Sequence, residues 1–244
     1  MSTVKTRWVA QAWRRLNTQT IGTDKYWWIA LQNAAFYRDM APLVPGFARG
    51  RVLDIGAGRL AWRSLLTQYA ASYISCDVTK EHQDLDVVLD VTHGLPFPDE
   101  SFETLFCCSV LEHVPEPWDA LSEMYRVLIP GGIAIVSFPF LLHLHDEPHD
   151  YYRFTQYGIE HLATSAGFQV VEMVVNGGLA HLALNLPSVA FSTIWESLGL
   201  RGFIRPTTLV WLTLARIFDN TFHLKRMFAS NYIVALRKTM RSEL

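Results

Sequence analysis

Seven short apolar runs rich in β-branched residues recur along the chain, and most are separated by stretches with helical spacing. The runs are RVLDIG (51–56), SYISCDV (72–78), LDVVLDV (85–91), TLFCCSV (104–110), GIAIVSF (132–138), QVVEMVV (169–175) and NYIVALR (231–237). Continuous rather than alternating apolarity marks strands buried on both faces, as parallel strands flanked by crossover helices are. The punctuation agrees. From Trp118 to Leu128, the residues Leu121, Met124, Tyr125 and Leu128 share one helical face, and Pro130, Gly131 and Gly132 stop that helix before the next strand. Thr155 offers an N-cap to a helix running to Ala166, and Gly167 ends it. This rhythm predicts an α/β fold with a doubly wound, mostly parallel sheet whose ligand lies at the carboxyl ends of the strands.

Two regions fall outside the rhythm. Residues 1–48 read as an N-terminal helical lid and 177–229 as a hydrophobic helical insertion, leaving 49–176 as the core and 230–244 as the final strand and tail of one structural domain. Trp8, Val9, Ala12 and Leu16 make an apolar stripe opposite Arg14 and Arg15, which reads as packing. In the insertion, LALNLPSVAF and TLVWLTLARIF both fall short of the ~20 apolar residues a spanning helix requires. A helical cap over the active site is expected, with peripheral membrane contact left open.

The chain has 244 residues, half of them apolar, which is enough for a full core. Its formal net charge of −2, with no long basic block, gives no reason to expect a nucleic-acid partner and favours a small-molecule substrate. Cys76, Cys107 and Cys108 are odd in number and lack CxxC spacing, as reduced thiols in a cytoplasmic protein would. Lys5, Arg7, Arg14 and Arg15 interrupt any N-terminal apolar run, so no signal peptide is expected. The sequence sets no oligomeric state.

In VLDIGAGRLA, Gly56, Ala57 and Gly58 follow a strand and precede a helical stretch, so backbone can approach a ligand closely and a helix N-terminus can face its polar groups. The letters also fit a G-x-G-x-x-A dinucleotide fingerprint. Asp77, at the end of the second strand, stands where either kind of nucleotide ligand would present ribose hydroxyls. Asp54 separates the two: a carboxylate just before the turn suits a ligand carrying an ammonium group and sits poorly beside a pyrophosphate.

Taken with LDVTHGLPFPDESFE (89–103), SVLEHVPEP (109–117) and YRVLIPGG (125–132), these residues resemble the class I S-adenosylmethionine-dependent methyltransferases, in the ubiquinone/menaquinone-methyltransferase-like branch. The resemblance runs from about Arg51 to Phe168 and includes the final strand. It implies a Rossmann-like seven-stranded sheet, S-adenosylmethionine as cofactor and S-adenosylhomocysteine as product. It also implies that Asp54 and the Gly56–Ala57–Gly58 backbone lie near the methionine end, that Asp77 with Val78 meets the ribose, and that Asp90 with Val91 meets the adenine. Ser109 and Val110, leading to Leu111, would line the cofactor. One departure is Leu60, where the family often carries a third glycine.

The loop HLHDEPHD (143–150) raises the question of a base or a metal, since His, Asp and Glu serve both. His113, His145 and His149 are the candidate bases, with Asp150 as an orienter; Asp150, Tyr151, Tyr152 and Arg153 are candidate substrate contacts. The plainer alternative is that the aromatics with Phe154 pack inward and Arg153 pairs with Asp150 or Glu147. At Glu112 and His113 the chain also resembles small-RNA 2′-O-methyltransferases that hold a divalent ion, but Ser109 stands where their first acidic ligand is. No metal is therefore expected; a site would need Glu112 and His113 together with His145 or His149. HDEPHDYYRFT is similar to a segment of methyltransferases from surface-glycan and secondary-metabolite pathways. The expected reaction is O-methylation of a sugar or metabolite hydroxyl on a small acceptor, free, glycan-linked or lipid-linked. The alternatives are an NAD(P)-dependent oxidoreductase and a non-catalytic S-adenosylmethionine-binding scaffold or regulator.

Overall fold

The computed structural model describes residues 3–239, with side chains from residue 11 on; those of Trp8 and Val9 lie outside the described residues. The chain runs through α1 (Thr3–Thr20), α2 (Leu31–Met40), α3 (Leu43–Phe47), β1 (Arg51–Ile55), α4 (Arg63–Leu66), β2 (Ser72–Asp77), β3 (Val87–Val88) and β4 (Phe102–Cys108). It continues through α5 (Pro117–Val127), β5 (Leu128–Pro139), α6 (Gln156–Ser165), β6 (Phe168–Gly177), α7 (Leu179–Ser197), α8 (Ile204–Thr221) and β7 (Ala229–Lys238). Two compact units result. One joins the residues up to Asp39 to Asn176–Ala229, and the other joins Met40–Val175 to the residues from Ser230 on.

The sheet unit holds seven strands in the order β3-β2-β1-β4-β5-β7-β6. Strand β1 pairs in parallel with both β2 and β4, and β4 with β5, whereas β7 runs antiparallel to β5. The order reverses between β1 and β4, where Ile55 stands beside Cys107, the switch point at which sheets of this kind bind their ligands. Leu53, Leu105, Phe106, Leu121 and Phe138 are fully buried around the sheet, each contributing roughly 1.5–3 kcal/mol. Helix α5 lays Ala120, Leu121, Met124 and Val127 inward, and the Lys238 ammonium closes its end by donating to the Tyr125 and Leu128 carbonyls at 2.9 and 2.8 Å. Thr155 caps α6 as expected, its hydroxyl accepting from the Gly158 amide at 3.1 Å.

Three local expectations need correcting. Strand β3 shrinks to two residues because the Asp86 carboxylate takes the Ser75 amide (2.9 Å) and hydroxyl (2.7 Å), replacing ladder bonds at this sheet edge. Strand β5 begins at Leu128, so Pro130–Gly132 lie inside it as an irregularity; a Cβ on Gly132 would stand 2.8 Å from the Leu128 side chain. After Gly58 the chain makes turns through Trp62, and α4 is only four residues long, so no helix N-terminus faces the glycine turn.

In the helical unit, Leu31, Ala34, Ala35, Ala180, Leu212 and Ala215 form one apolar cluster, and Leu16, Ile29 and Ile204 another. Ala12 and Leu16 are buried while Arg14 and Arg15 are exposed, as the stripe required. Helix α7 inverts the usual pattern: His181, Ser188, Ser192, Thr193 and Glu196 are buried, and Leu186, Phe191, Ile194 and Leu198 are exposed. Asp219 of α8 makes this tolerable at the helix start. Its carboxylate accepts from the Ala180 amide (2.8 Å) and from His181 Nδ1 (2.6 Å), where a negative charge is favoured by the helix dipole.

Candidate active site

The polar residues named from sequence converge on the crevice edge of the sheet unit. At the end of β1, Asp54 is buried and accepts a 2.6 Å hydrogen bond from the Tyr73 hydroxyl. Burial pushes its carboxyl up to about 7 against the lowering effect of the Tyr73 bond, and Asp77 adds to the rise. The turn that follows is tight: Gly56 and Ala57 amides both donate to the Cys76 carbonyl, at 2.9 and 3.0 Å. Gly56 has φ 70°, and a Cβ there would stand 2.2 Å from Val110, so only glycine lets the β4 loop close onto the turn. Nothing lies within 4 Å of where a Cβ on Gly58 would point. Leu60 adopts φ 60°, the left-handed conformation glycine favours, with its side chain buried.

The Asp77 carboxylate is committed to this turn, accepting from the Gly58 amide at 2.8 Å and the Thr79 amide at 3.1 Å; Val78 beside it is exposed. Asp90 caps the turn at Val91–His93 by accepting from the Thr92 amide (2.9 Å) and hydroxyl (2.7 Å), bonds that hold its pKa down, and Val91 is half-buried. Arg126 fastens the LPFPD stretch through the Leu95 and Phe97 carbonyls and Asp99. Ser109, at φ 56°, is held by the Ser137 hydroxyl, which accepts from its amide at 2.9 Å.

A turn over Leu111–His113 leads from β4 into the histidine cluster. Glu112 is completely buried, and among the described residues neither of its carboxylate oxygens receives a hydrogen bond. His113 Nε2 and His145 Nε2 each lie 3.8 Å from its Oε1, with the two rings edge to face at 4.8 Å. His113 Nδ1 donates to the His149 carbonyl at 2.7 Å, and Nδ1 of His145 faces the His143 carbonyl at 3.2 Å. The Glu112 carboxylate raises the His145 pKa, with burial opposing. His149 stands apart from this pairing: its ring is exposed and its Nδ1 is 3.1 Å from the Tyr151 hydroxyl.

The loop's remaining polar groups hold one another. Arg153 donates to both oxygens of Asp150 at 2.6 and 2.7 Å, and to the Leu142 and His143 carbonyls. This guanidinium holds the Asp150 carboxyl far below the usual carboxylate range, and Asp150 in turn accepts the His145 amide. Tyr152 donates its hydroxyl to the Pro115 carbonyl, Phe154 packs on Phe138, and Tyr151 is exposed. The Asp150–Arg153 pair is observed, while the Tyr151 side chain stays exposed. Tyr73, Ser137 and Arg126 were not singled out from sequence; each looks there like an ordinary strand or helix residue, and only the fold reveals what it holds.

The motif-bearing core has known counterparts. Residues 53–136 match the family model described as a methyltransferase domain. An uncharacterized methyltransferase of Mycolicibacterium vanbaalenii is 31% identical over 99 residues, covering 36% of this chain and 38% of that protein. A demethylmenaquinone methyltransferase of Clavibacter sepedonicus is 29% identical over 140 residues, covering 52% and 54%. The chain thus spans from under half to just over half the length of these relatives. The structure of a SAM-dependent methyltransferase from Archaeoglobus fulgidus aligns with a TM-score of 0.57 at 18% identity, covering 84% of this chain and 92% of that one. The fold is that of the class I S-adenosylmethionine-dependent methyltransferases, as the motifs implied, and a methyltransferase domain spans its first five strands.

Proposed function

We propose that the chain is an S-adenosylmethionine-dependent methyltransferase that methylates a hydroxyl of a small organic acceptor, a sugar or related metabolite. The observation that carries this reading is that the glycine turn after β1 packs on Val110 at the end of β4, where the strand order reverses and two residues before Glu112 of the histidine cluster. The residues fit such a cofactor: open space at Gly58, a buried Asp54 that lacks a cation, and Asp77 on the turn between them. Bound there, the cofactor supplies an already activated methyl group. The protein's tasks are to exclude water, orient the acceptor and take its proton. Asp54 pairs with the ammonium, the Ser109–Val110 stretch lines the pocket, and Asp77, Val78, Asp90 and Val91 meet the nucleoside. His113, His145 and His149 handle protons, and Tyr151 and Tyr152 offer aromatic faces to the acceptor, with Asp150 and Arg153 fixing the loop.

Calorimetry with S-adenosylhomocysteine against NAD(H) tests the cofactor, and preference for NAD(H) would sink the reading. Transfer of labelled methyl to a panel of free, glycan-linked and lipid-linked hydroxyl compounds tests the acceptor; label found only on amines or carbon removes the hydroxyl.

Lipid linkage enters through the helical unit. Helix α7 exposes Phe191, Ile194 and Leu198, and α8 exposes Val210, Leu214, Ile217 and Phe218, both at helical spacing. Arg201, Arg205, Arg216, Lys225 and Arg226 are the basic residues of 177–229, and its two acidic residues, Glu196 and Asp219, are both buried. Apolar side chains set among cations suit the headgroup boundary of an anionic bilayer. No helix among the described residues is long and apolar enough to cross one. Co-sedimentation with anionic but not zwitterionic vesicles is the expected result, and equal indifference to both removes membrane contact.

A further inference from the structure

We propose that Glu112, His113 and His145 form a binding site for one divalent transition-metal ion. Their three donor atoms lie within 4.8 Å of one another, brought together from the end of β4 and the loop after β5. Three features separate this cluster from an ordinary polar patch.

First, the Glu112 carboxylate is completely buried with no hydrogen bond to either oxygen, an arrangement that is strongly unfavourable unless something cationic completes it. The two imidazoles do not complete it, since at 3.8 Å neither Nε2 is within hydrogen-bonding reach. Second, the rings are oriented as metal ligands are. Each Nδ1 faces a backbone carbonyl, of His149 for His113 and of His143 for His145, and a carbonyl only accepts. For His113 this puts the proton of the neutral ring on Nδ1 and turns the Nε2 lone pair toward Glu112; His145 Nδ1 also faces the donating Arg153 guanidinium at 3.4 Å, while its Nε2 points at the same carboxylate. Third, the surroundings are braced. The Glu112 carbonyl accepts the Tyr151 and Tyr152 amides, and the Asp150–Arg153 pair holds the His145 backbone.

Ligand bonds of about 2.0–2.2 Å put donors around a single ion roughly 3–3.5 Å apart, so separations of 3.8 Å and at most 4.8 Å must shorten, the widest by up to about 1.5 Å, to close on it. Side-chain torsions at the half-exposed histidines supply that movement. Asp146, whose Oδ2 is 3.9 Å from His113 Nε2 and open to solvent, is placed to become a fourth ligand. Two imidazoles and a carboxylate select Zn²⁺, Co²⁺ or Mn²⁺ over Mg²⁺ and Ca²⁺, which prefer all-oxygen sets. Ser109 supplies no carboxylate, so the fourth position falls to Asp146 from the loop after β5. On the methyltransferase reading, on which this last step rests, a bound ion would hold the acceptor oxygen next to the pocket lined by Ser109 and Val110 and make its proton easier to remove, with His113 and His145 serving as ligands and exposed His149 left as the base.

The test titrates the full chain, treated with chelator and desalted, with Zn²⁺ by calorimetry and with Co²⁺ by visible absorption. The expected result is one equivalent bound and, with Co²⁺, visible bands of low-symmetry coordination. Glu112→Gln and His145→Asn should each weaken binding by about 100-fold or more, with circular dichroism confirming that the variants fold. His161→Asn on α6, outside the cluster, should change nothing. No saturable binding, or binding undiminished in both Glu112→Gln and His145→Asn, overturns the site. Parallel titration with S-adenosylhomocysteine keeps the two ideas apart: loss of cofactor binding with metal retained sinks the enzyme reading alone, and the reverse sinks the metal site alone.

Discussion

The buried carboxylates of the helical unit and those of the sheet edge are treated in opposite ways. In the helical unit Asp219 accepts two backbone amides and the His181 imidazole, and Glu196 is gripped by Arg201. At the sheet edge the Asp54 carboxylate accepts one hydroxyl, and among the described residues the Glu112 carboxylate accepts no hydrogen bond. Removing a carboxylate from water is tolerable only when something restores its hydrogen bonds or charge. Where the chain does so itself, the residue is structural; where it does not, the residue is positioned for something that binds. Helix anchoring belongs to the first pair, and the contrast is the ground on which ligand binding is proposed for the second.

The sharpest way to break this contrast is Asp219→Ala. It removes three hydrogen bonds, exposes the start of α7 and leaves His181, whose pKa burial already lowers, without a partner. A loss of roughly 3–5 kcal/mol in urea unfolding is expected, as for other broken buried pairs; a loss of less than about 1 kcal/mol would show that the pairing is incidental. Next in size is Asp77→Ala. Its two backbone bonds hold the glycine turn, and it is the proposed ribose contact. Calorimetry should show S-adenosylhomocysteine affinity falling by about 100-fold, near the 1.5–3 kcal/mol of a charged hydrogen bond. Unchanged affinity would detach the turn from the cofactor.

Asp54 gives a pH signature. The folded chain keeps this proton up to about pH 7, whereas a freely solvated aspartate loses it near 3.8, so between those values the folded state binds more protons. Stability from this group is present below that window and falls as pH rises through it. Asp54→Asn abolishes the loss, so unfolding at pH 8 should show a gain on the order of 1–3 kcal/mol that vanishes below pH 4. The same change should remove the tightening of S-adenosylhomocysteine binding expected in the parent as pH passes 7 and the carboxylate ionises to meet the ammonium. A variant less stable than the parent at pH 8 would mean the carboxylate is already balanced, placing Asp54 with Asp219 rather than with Glu112.

The two regions also differed in how far their sequence could be read. Strands buried on both faces leave continuous apolar runs, so all seven strands are visible in the letters, and with them the helices α5 and α6. The extent of β3 was not, because Asp86 displaces backbone pairing by a side-chain bond to Ser75 that no periodicity encodes. Within the site, Asp150 and Arg153 are three residues apart and their pairing was among the readings made. The grouping of Glu112 and His113 with His145 or His149 is also named from the sequence, but which histidine arrives depends on how two separate loops leave β4 and β5, which spacing does not carry. The helical unit was legible as helices only. Its buried Ser188, Ser192 and Glu196 face inward on α7 because partners such as the Leu31 amide and Arg201 await them.

Leu60 carries the smallest expected effect and tests the glycine turn itself. Its left-handed backbone costs a non-glycine residue about 1–2 kcal/mol, and burial of its side chain returns roughly 1.5–3 kcal/mol. Leu60→Gly removes both and adds about 0.5–1 kcal/mol of unfolded-chain freedom. The net should be a loss of about 1 kcal/mol, well under the 2–5 kcal/mol of an ordinary large-to-small change in a core. Chemical denaturation of the variant decides it. A loss of the full core size would mean that the φ of 60° at Leu60 carries little strain, and that the turn needs the leucine for its packing alone.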